Sequence, residues 1–253
     1  MPAPATTSSE RLTDRPGAWV DLGLTLPIFL VYHLAVVFLG VQNATDMVTG
    51  TLLELSAGDK SRYLLGTLAI GVLFAGTFAL LGRGQAFRPQ KFFQIAVEGA
   101  VYAVVMAIVA NQVVGHIFAA PSAIAEQGRF VGFIMSLGAG FYEELAFRVL
   151  LFGLGAKILV WTFAQQKMEL AGTRTARFTV SSALVMLGWA VACAVIFSGV
   201  HYVGPMADAF QLTSFTFRAV LGLILTLIFV TRGFAAAVWT HAIYDVWVLV
   251  FHA

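Results

Sequence analysis

The chain has 253 residues, of which 59% are hydrophobic and 11% charged, with a mean hydropathy of +0.86. A soluble domain carries about 25% charged residues, so this composition excludes a soluble globular protein. The formal net charge of +2 is too small a surplus to suggest a nucleic-acid partner.

Residues 1–17 are polar, rich in Ala, Thr and Ser, and carry Pro2, Pro4 and Pro16. They lack the layout of a secretory signal and are expected to form a disordered N-terminal tail. Seven apolar stretches follow, at about 18–41, 63–82, 92–115, 130–154, 179–200, 214–230 and 234–251. Each is long enough to cross ~30 Å of hydrocarbon as a helix. The fourth runs on apolar to about Phe163, which predicts a break near Gly153 to Gly155 and a segment turned into the membrane interface. The fold class is therefore all-α: a polytopic membrane helix bundle of about seven spans (six to eight), one domain over 18–253 with the bilayer as its solvent. Cys193 is the sole cysteine, so no internal disulfide forms.

Basic residues set the orientation. With seven spans, Arg11, Arg15, Arg83, Arg88, Lys91, Lys157, Lys167, Arg174, Arg177 and Arg232 fall on one side, against Lys60, Arg62 and Arg129 on the other. Cytoplasmic loops carry the Lys/Arg excess, so the N-terminus is expected in the cytoplasm and the C-terminus outside. Short loops and a compact bundle suggest a bacterial cell membrane.

Charges inside the fourth stretch call for a reason. The run Gly140-Phe-Tyr-Glu-Glu-Leu-Ala-Phe-Arg148 places Glu143, Glu144 and Arg148 among apolar flanks, at a cost of several kcal/mol unless they face a partner, a cavity or water. At ~100° per residue Arg148 lies near Glu144 and far round the helix from Glu143. Arg148 can therefore pair with Glu144 and leave Glu143 free. A second cluster, Phe197-Ser-Gly-Val-His201, closes the fifth stretch. A third, His241-Ala-Ile-Tyr-Asp245, lies in the last; its imidazole and carboxylate are four apart and share a face. Gathered into one cavity, a carboxylate base, two imidazoles and a further carboxylate can activate water and stabilise an oxyanion.

Other polar residues read as structure. His33, His116 and His252 lack partners at helical spacing. Glu98 and Arg218 are each unusual in apolar stretches and are placed to neutralise one another or line a water path. Asp21 lies where headgroups can solvate it. Phe197 reads as pocket wall and Cys193 as packing. Gly138 and Gly140 lower side-chain bulk before the glutamates, opening a route for water or substrate.

Glu-Glu-x-x-x-Arg, Phe-x-x-x-His and His-x-x-x-Asp, in that order over residues 130–251, resemble the CPBP family of intramembrane proteases. That family includes type II CAAX prenyl endopeptidases, bacteriocin-processing and self-immunity proteins, and sorting-type proteases. The resemblance implies a metal-free glutamate-type endopeptidase with no cofactor, acting on a membrane-associated peptide or protein. It implies that Glu143 and His201 activate the attacking water, that Glu144 and Arg148 support the first motif, and that His241 and Asp245 stabilise the oxyanion. This chain carries Asp245 where the prenyl-protease branch typically has Asn, and an ionised Asp cannot donate a hydrogen bond; Asp245 is then either protonated or serves to orient and charge His241. Three other readings use the same residues. Two histidines and a carboxylate can bind zinc, although His-Glu-x-x-His is missing. A proton-coupled transporter would relay protons through them, although no inverted halves are visible. An inactive immunity protein would retain them without turnover.

Overall fold

The computed structural model describes residues 17–81, 90–114, 127–165, 179–204 and 207–251, and every regular element among them is helical. The first apolar stretch divides into α1 (Ala18–Gly23) and α2 (Leu26–Val36), where Thr25 Oγ1 donates to the Leu22 carbonyl at 2.7 Å. A short α3 (Met47–Leu55) follows. Its N-terminus is capped by Asp46, whose carboxylate accepts from Val48 N and Thr49 N at 3.0 and 2.9 Å, satisfying donors that a helix start leaves unpaired. Next come α4 (Lys60–Leu81) and α5 (Gln90–Val114). Then α6 (Arg129–Gly138) runs through two π-helical passages, Ala139–Glu143 and Leu145–Leu154, into α7 (Gly155–Ala164). The bundle closes with α8 (Val180–Val200), α9 (Leu212–Arg232) and α10 (Phe234–Val246), the last extended by a π turn at Trp247–Phe251.

Six helices are long and apolar enough to cross a membrane: Trp19–Val36, Gln90–Val113, Arg129–Ala164, Val180–Val200, Leu212–Arg232 and Phe234–Phe251. They lie within the predicted six to eight and make this an integral membrane protein. The second predicted stretch, α4, is not among the six, yet it runs antiparallel beside α1 and α2. Tyr63 near its start meets His33, Gly71 packs on Leu30, and Ile70 and Phe74 share a small pocket with Leu22. Outward stripes such as Val101, Val104, Val105 and Ile108 on α5 are exposed, the arrangement expected of side chains that meet lipid.

The predicted break near Gly153 does not occur. Arg129–Ala164 is one continuous 36-residue helix, well beyond the ~20 residues that a span needs. The glutamates lie near its middle, Glu143 ending the first π-helical passage and Glu144 standing between the two, rather than in the uninterrupted α-helix that the spacing assumed. Such widened turns are rare and recur at functional sites.

Two other expectations are corrected at the two ends of the bundle. Asp21 is buried, not headgroup-solvated: its carboxylate accepts from Phe234 N and, at 2.8 Å, from Ala235 N, capping α10. Glu98 pairs with Arg232 rather than Arg218, through contacts of 2.8 and 2.9 Å. Arg218 instead pairs with Asp208 across the loop before α9. Asp21, Glu98 and Arg232 thus gather at one end, while Tyr63, Asp46, His201 and Asp208 lie at the other. The expectations for the 1–17 tail, His116 and His252 fall outside the described residues, apart from Gly17.

Candidate active site

Glycine lets two helices meet closely enough to form the site. A Cβ on Gly140 would stand 2.6 Å from Ala242 Cβ and 2.8 Å from Ala242 N on α10, below any normal contact. Gly138 likewise lies under the Tyr32 ring. These glycines serve close packing rather than a water route, which corrects the reading made from their small size.

The contact with α10 brings Glu144 to His241. Glu144 is fully buried and Arg148 is 1% exposed. Glu144 Oε2 lies 3.1 Å from Arg148 Nε, an ion pair whose angle falls short of a hydrogen bond, and Glu144 Oε1 lies 2.7 Å from His241 Nδ1. Arg148 also stacks over the Phe197 ring at 4.3 Å, and its Nη2 reaches toward the Gly222 carbonyl at 3.5 Å. The predicted Glu144–Arg148 pair is present, and it also holds His241. On the ring's other side, His241 Nε2 lies 3.4 Å from Asp245 Oδ2. Each imidazole nitrogen therefore faces a carboxylate.

Glu143 points elsewhere, as the spacing predicted. It is 14% exposed, and its Oε2 lies 4.0 Å from Nε2 of His201, which is 28% exposed. Glu143 Oε2 has no hydrogen-bond partner among the described residues. His201 ends α8, and its Nδ1 lies 2.9 Å from the Phe197 carbonyl. A carbonyl only accepts, so Nδ1 carries the proton there, and a neutral ring leaves Nε2 with its lone pair toward Glu143. Phe197 forms wall, its ring edge-on to Phe147, His201 and His241. Cys193 is buried.

A cavity of about 700 Å³ unites Glu143, Phe197, His201, His241 and Asp245, together with Arg218 and residues 42–45. Glu144 and Arg148 do not line it. Helix α9 contributes Phe217, Leu221 and Leu225 to the wall. Among the described residues, no group of three or more His, Cys, Asp or Glu side chains is arranged to hold a metal ion.

Two features were not foreseen. Asn43 Nδ2 donates to Glu143 Oε1 at 2.9 Å from 100 residues away, and no local motif marks it. His33 is completely buried, with Tyr63 Oη 2.8 Å from Nδ1 and Tyr142 Oη against Nε2. It is a core histidine without a partner at helical spacing, as the sequence suggested, and these partners come from other helices.

Residues 126–247 match the family model described as type II CAAX prenyl endopeptidase Rce1-like, so this part of the chain, just under half of it, is similar to that family of membrane proteases. All seven residues singled out in the three motifs fall within the match. No curated protein and no solved structure matches the chain.

Proposed function

We propose that the protein is a glutamate-type intramembrane endopeptidase, in which Glu143 and His201 together activate one water against a peptide bond of a membrane-associated substrate. The observation that carries this reading is the 4.0 Å between Glu143 Oε2 and His201 Nε2. That gap is too long for a direct hydrogen bond. A single water donating to two acceptors through bonds of ~2.8 Å spans about 4 to 4.5 Å.

The chemistry follows from those two acceptors. Glu143 takes a proton as the water oxygen attacks the carbonyl carbon, and the carbonyl π-electrons move onto its oxygen. As the tetrahedral intermediate collapses, the C–N bond breaks and the proton held by Glu143 passes to the leaving amine. The water oxygen ends in the new carboxylate, its second proton passing through His201 Nε2 to the amine, which leaves as an ammonium group. His241 serves the oxyanion. An imidazolium satisfies both of its carboxylate neighbours, since both ring nitrogens then donate. Its longer contact, to Asp245, lies on the cavity side, and an oxyanion displaces that one. Asp245 then charges and orients the ring rather than donating itself. Glu144 and Arg148 act from behind, fixing His241 against the long helix.

The substrate side follows from charge. The cavity reaches the exposed residues Gln42, Ala44 and Val203, at the end of the bundle opposite Asp21, Glu98 and Arg232. The ten-to-three excess of basic residues puts the latter end in the cytoplasm. In a bacterial cell membrane with a cytoplasmic N-terminus, the cavity opens to the outer face. A leader peptide or sorting tail met at that face fits better than a prenylated cytosolic tail.

Cleavage tests the reading in proteoliposomes. Two quenched-fluorescent peptides serve as probes, one ending in a farnesylated Cys-aliphatic-aliphatic-X sequence and one carrying a lipid-free apolar segment before a polar tail. The wild type cleaves at least one of them, and Glu143→Gln and His201→Ala cleave neither while accumulating in the membrane. No cleavage by the wild type, or full cleavage by either variant, contradicts the reading.

A further inference from the structure

Asn43 reaches the site from the segment joining α2 to α3, outside the family-matched residues 126–247. Its amide has a defined orientation. Asn43 Oδ1 lies 2.9 Å from Thr45 N and 2.6 Å from Thr45 Oγ1. A backbone N–H only donates, so the atom facing it is the oxygen, and the NH2 is the group turned to Glu143. The segment is itself anchored. Asn43 N donates to Tyr32 Oη at 3.1 Å, and Tyr32 Oη donates to Asp46 Oδ2 at 2.8 Å, while Asp46 Oδ1 caps α3. Asn43 is 8% exposed, so little solvent competes for the donor. The result is an amide donor held from α2 and α3 and aimed at one carboxylate oxygen.

We infer that Asn43 is a positioning residue for hydrolysis, pinning Glu143 Oε1 so that Oε2 is held toward His201 as the basic oxygen. The inference rests on the reading of Glu143 as base. The terminal torsion of a glutamate is broad and roughly two-fold, so an unpinned carboxylate samples orientations that do not face His201. A donor on one oxygen fixes the carboxylate plane. The N-terminal half of the chain thereby completes a site whose motifs all lie in the second half.

Isosteric replacement separates this role from simple support of the loop. Asn43→Asp retains the oxygen that accepts from Thr45 and exchanges the NH2 for a second acceptor. On the peptide pair described above, kcat of Asn43→Asp falls about 100-fold, the scale of a ~1 Å misplacement, with KM within about twofold. Asn43→Ala, which adds no opposing acceptor, loses about 10-fold on the same reasoning. A residue that merely supports the loop gives the reverse order, because Asp keeps the loop bonds and Ala does not. Asn43→Leu, neutral and of similar shape, provides the comparison without a new charge: kcat falls while KM holds. Wild-type kcat in Asn43→Leu, or an alanine variant slower than the aspartate variant, overturns the inference. Glu143→Gln is run alongside. An active Glu143→Gln removes the base reading itself, whereas an inactive Glu143→Gln beside unaffected Asn43 variants removes only the positioning role.

Discussion

Glu143 and Glu144 are adjacent in the chain and have opposite surroundings. Glu144 is sealed against Arg148 and His241, whereas Glu143 faces the cavity, Asn43 and His201. Their substitutions should therefore fail in different ways. Arg148→Met leaves Glu144 buried without its guanidinium and is expected to destabilise the fold by about 3–5 kcal/mol, read as a lower unfolding temperature in detergent along with lost activity. Glu143→Gln should lose activity at an unchanged unfolding temperature. At position 245 the two substitutions diverge as well. An Asn can donate to an oxyanion where an ionised Asp cannot, so Asp245→Asn is expected to keep activity within about 10-fold. Asp245→Ala, which can neither donate nor charge His241, should fall further in the same cleavage assay. An asparagine variant slower than the alanine variant would contradict the role given to Asp245.

Helix α10 and the long helix are held together by what Gly140 omits. Gly140→Ala forces a methyl into Ala242 and should cost about 1–3 kcal/mol, lowering activity as well by lifting His241 from Glu144. Gly188→Ala is the control: its Cβ meets nothing within 4 Å, and alanine is the better helix former, so stability should hold or rise. Equal unfolding temperatures for the two variants would contradict the close-packing account. The same elements show why the sequence was legible in parts. The Glu144–Arg148 pair and the His241–Asp245 pair could be read because both lie four residues apart on one helix, where spacing alone decides contact. Apolar length marked the spans for the same local reason. The pairs His33–Tyr63, Asp21–Ala235, Glu98–Arg232 and Asn43–Glu143 were hidden, because their members lie 30 to 214 residues apart and nothing local encodes them. The π-helical passages were hidden too, since hydropathy does not distinguish a ladder of i to i+4 bonds from one of i to i+5.

The bundle as a whole has two unlike ends, and its sidedness can be tested without a substrate. Cys193 is 3% exposed, so the chain offers little background to a thiol reagent. Ala44→Cys at the cavity mouth should react with a membrane-impermeant maleimide in intact cells, and Lys157→Cys only after permeabilisation. The reverse pattern would turn the cavity toward the cytoplasm and restore a prenylated cytosolic tail as the fitting substrate. Neither orientation alters the proposed chemistry, in which one water is shared by a carboxylate and an imidazole from different helices. Cleavage of the peptide pair by wild type and Glu143→Gln, at matched protein and equal unfolding temperature, tests that most directly. The account predicts a loss of at least about 1,000-fold, within the range of a removed general base. A Glu143→Gln enzyme within about 10-fold of wild type would contradict that contribution.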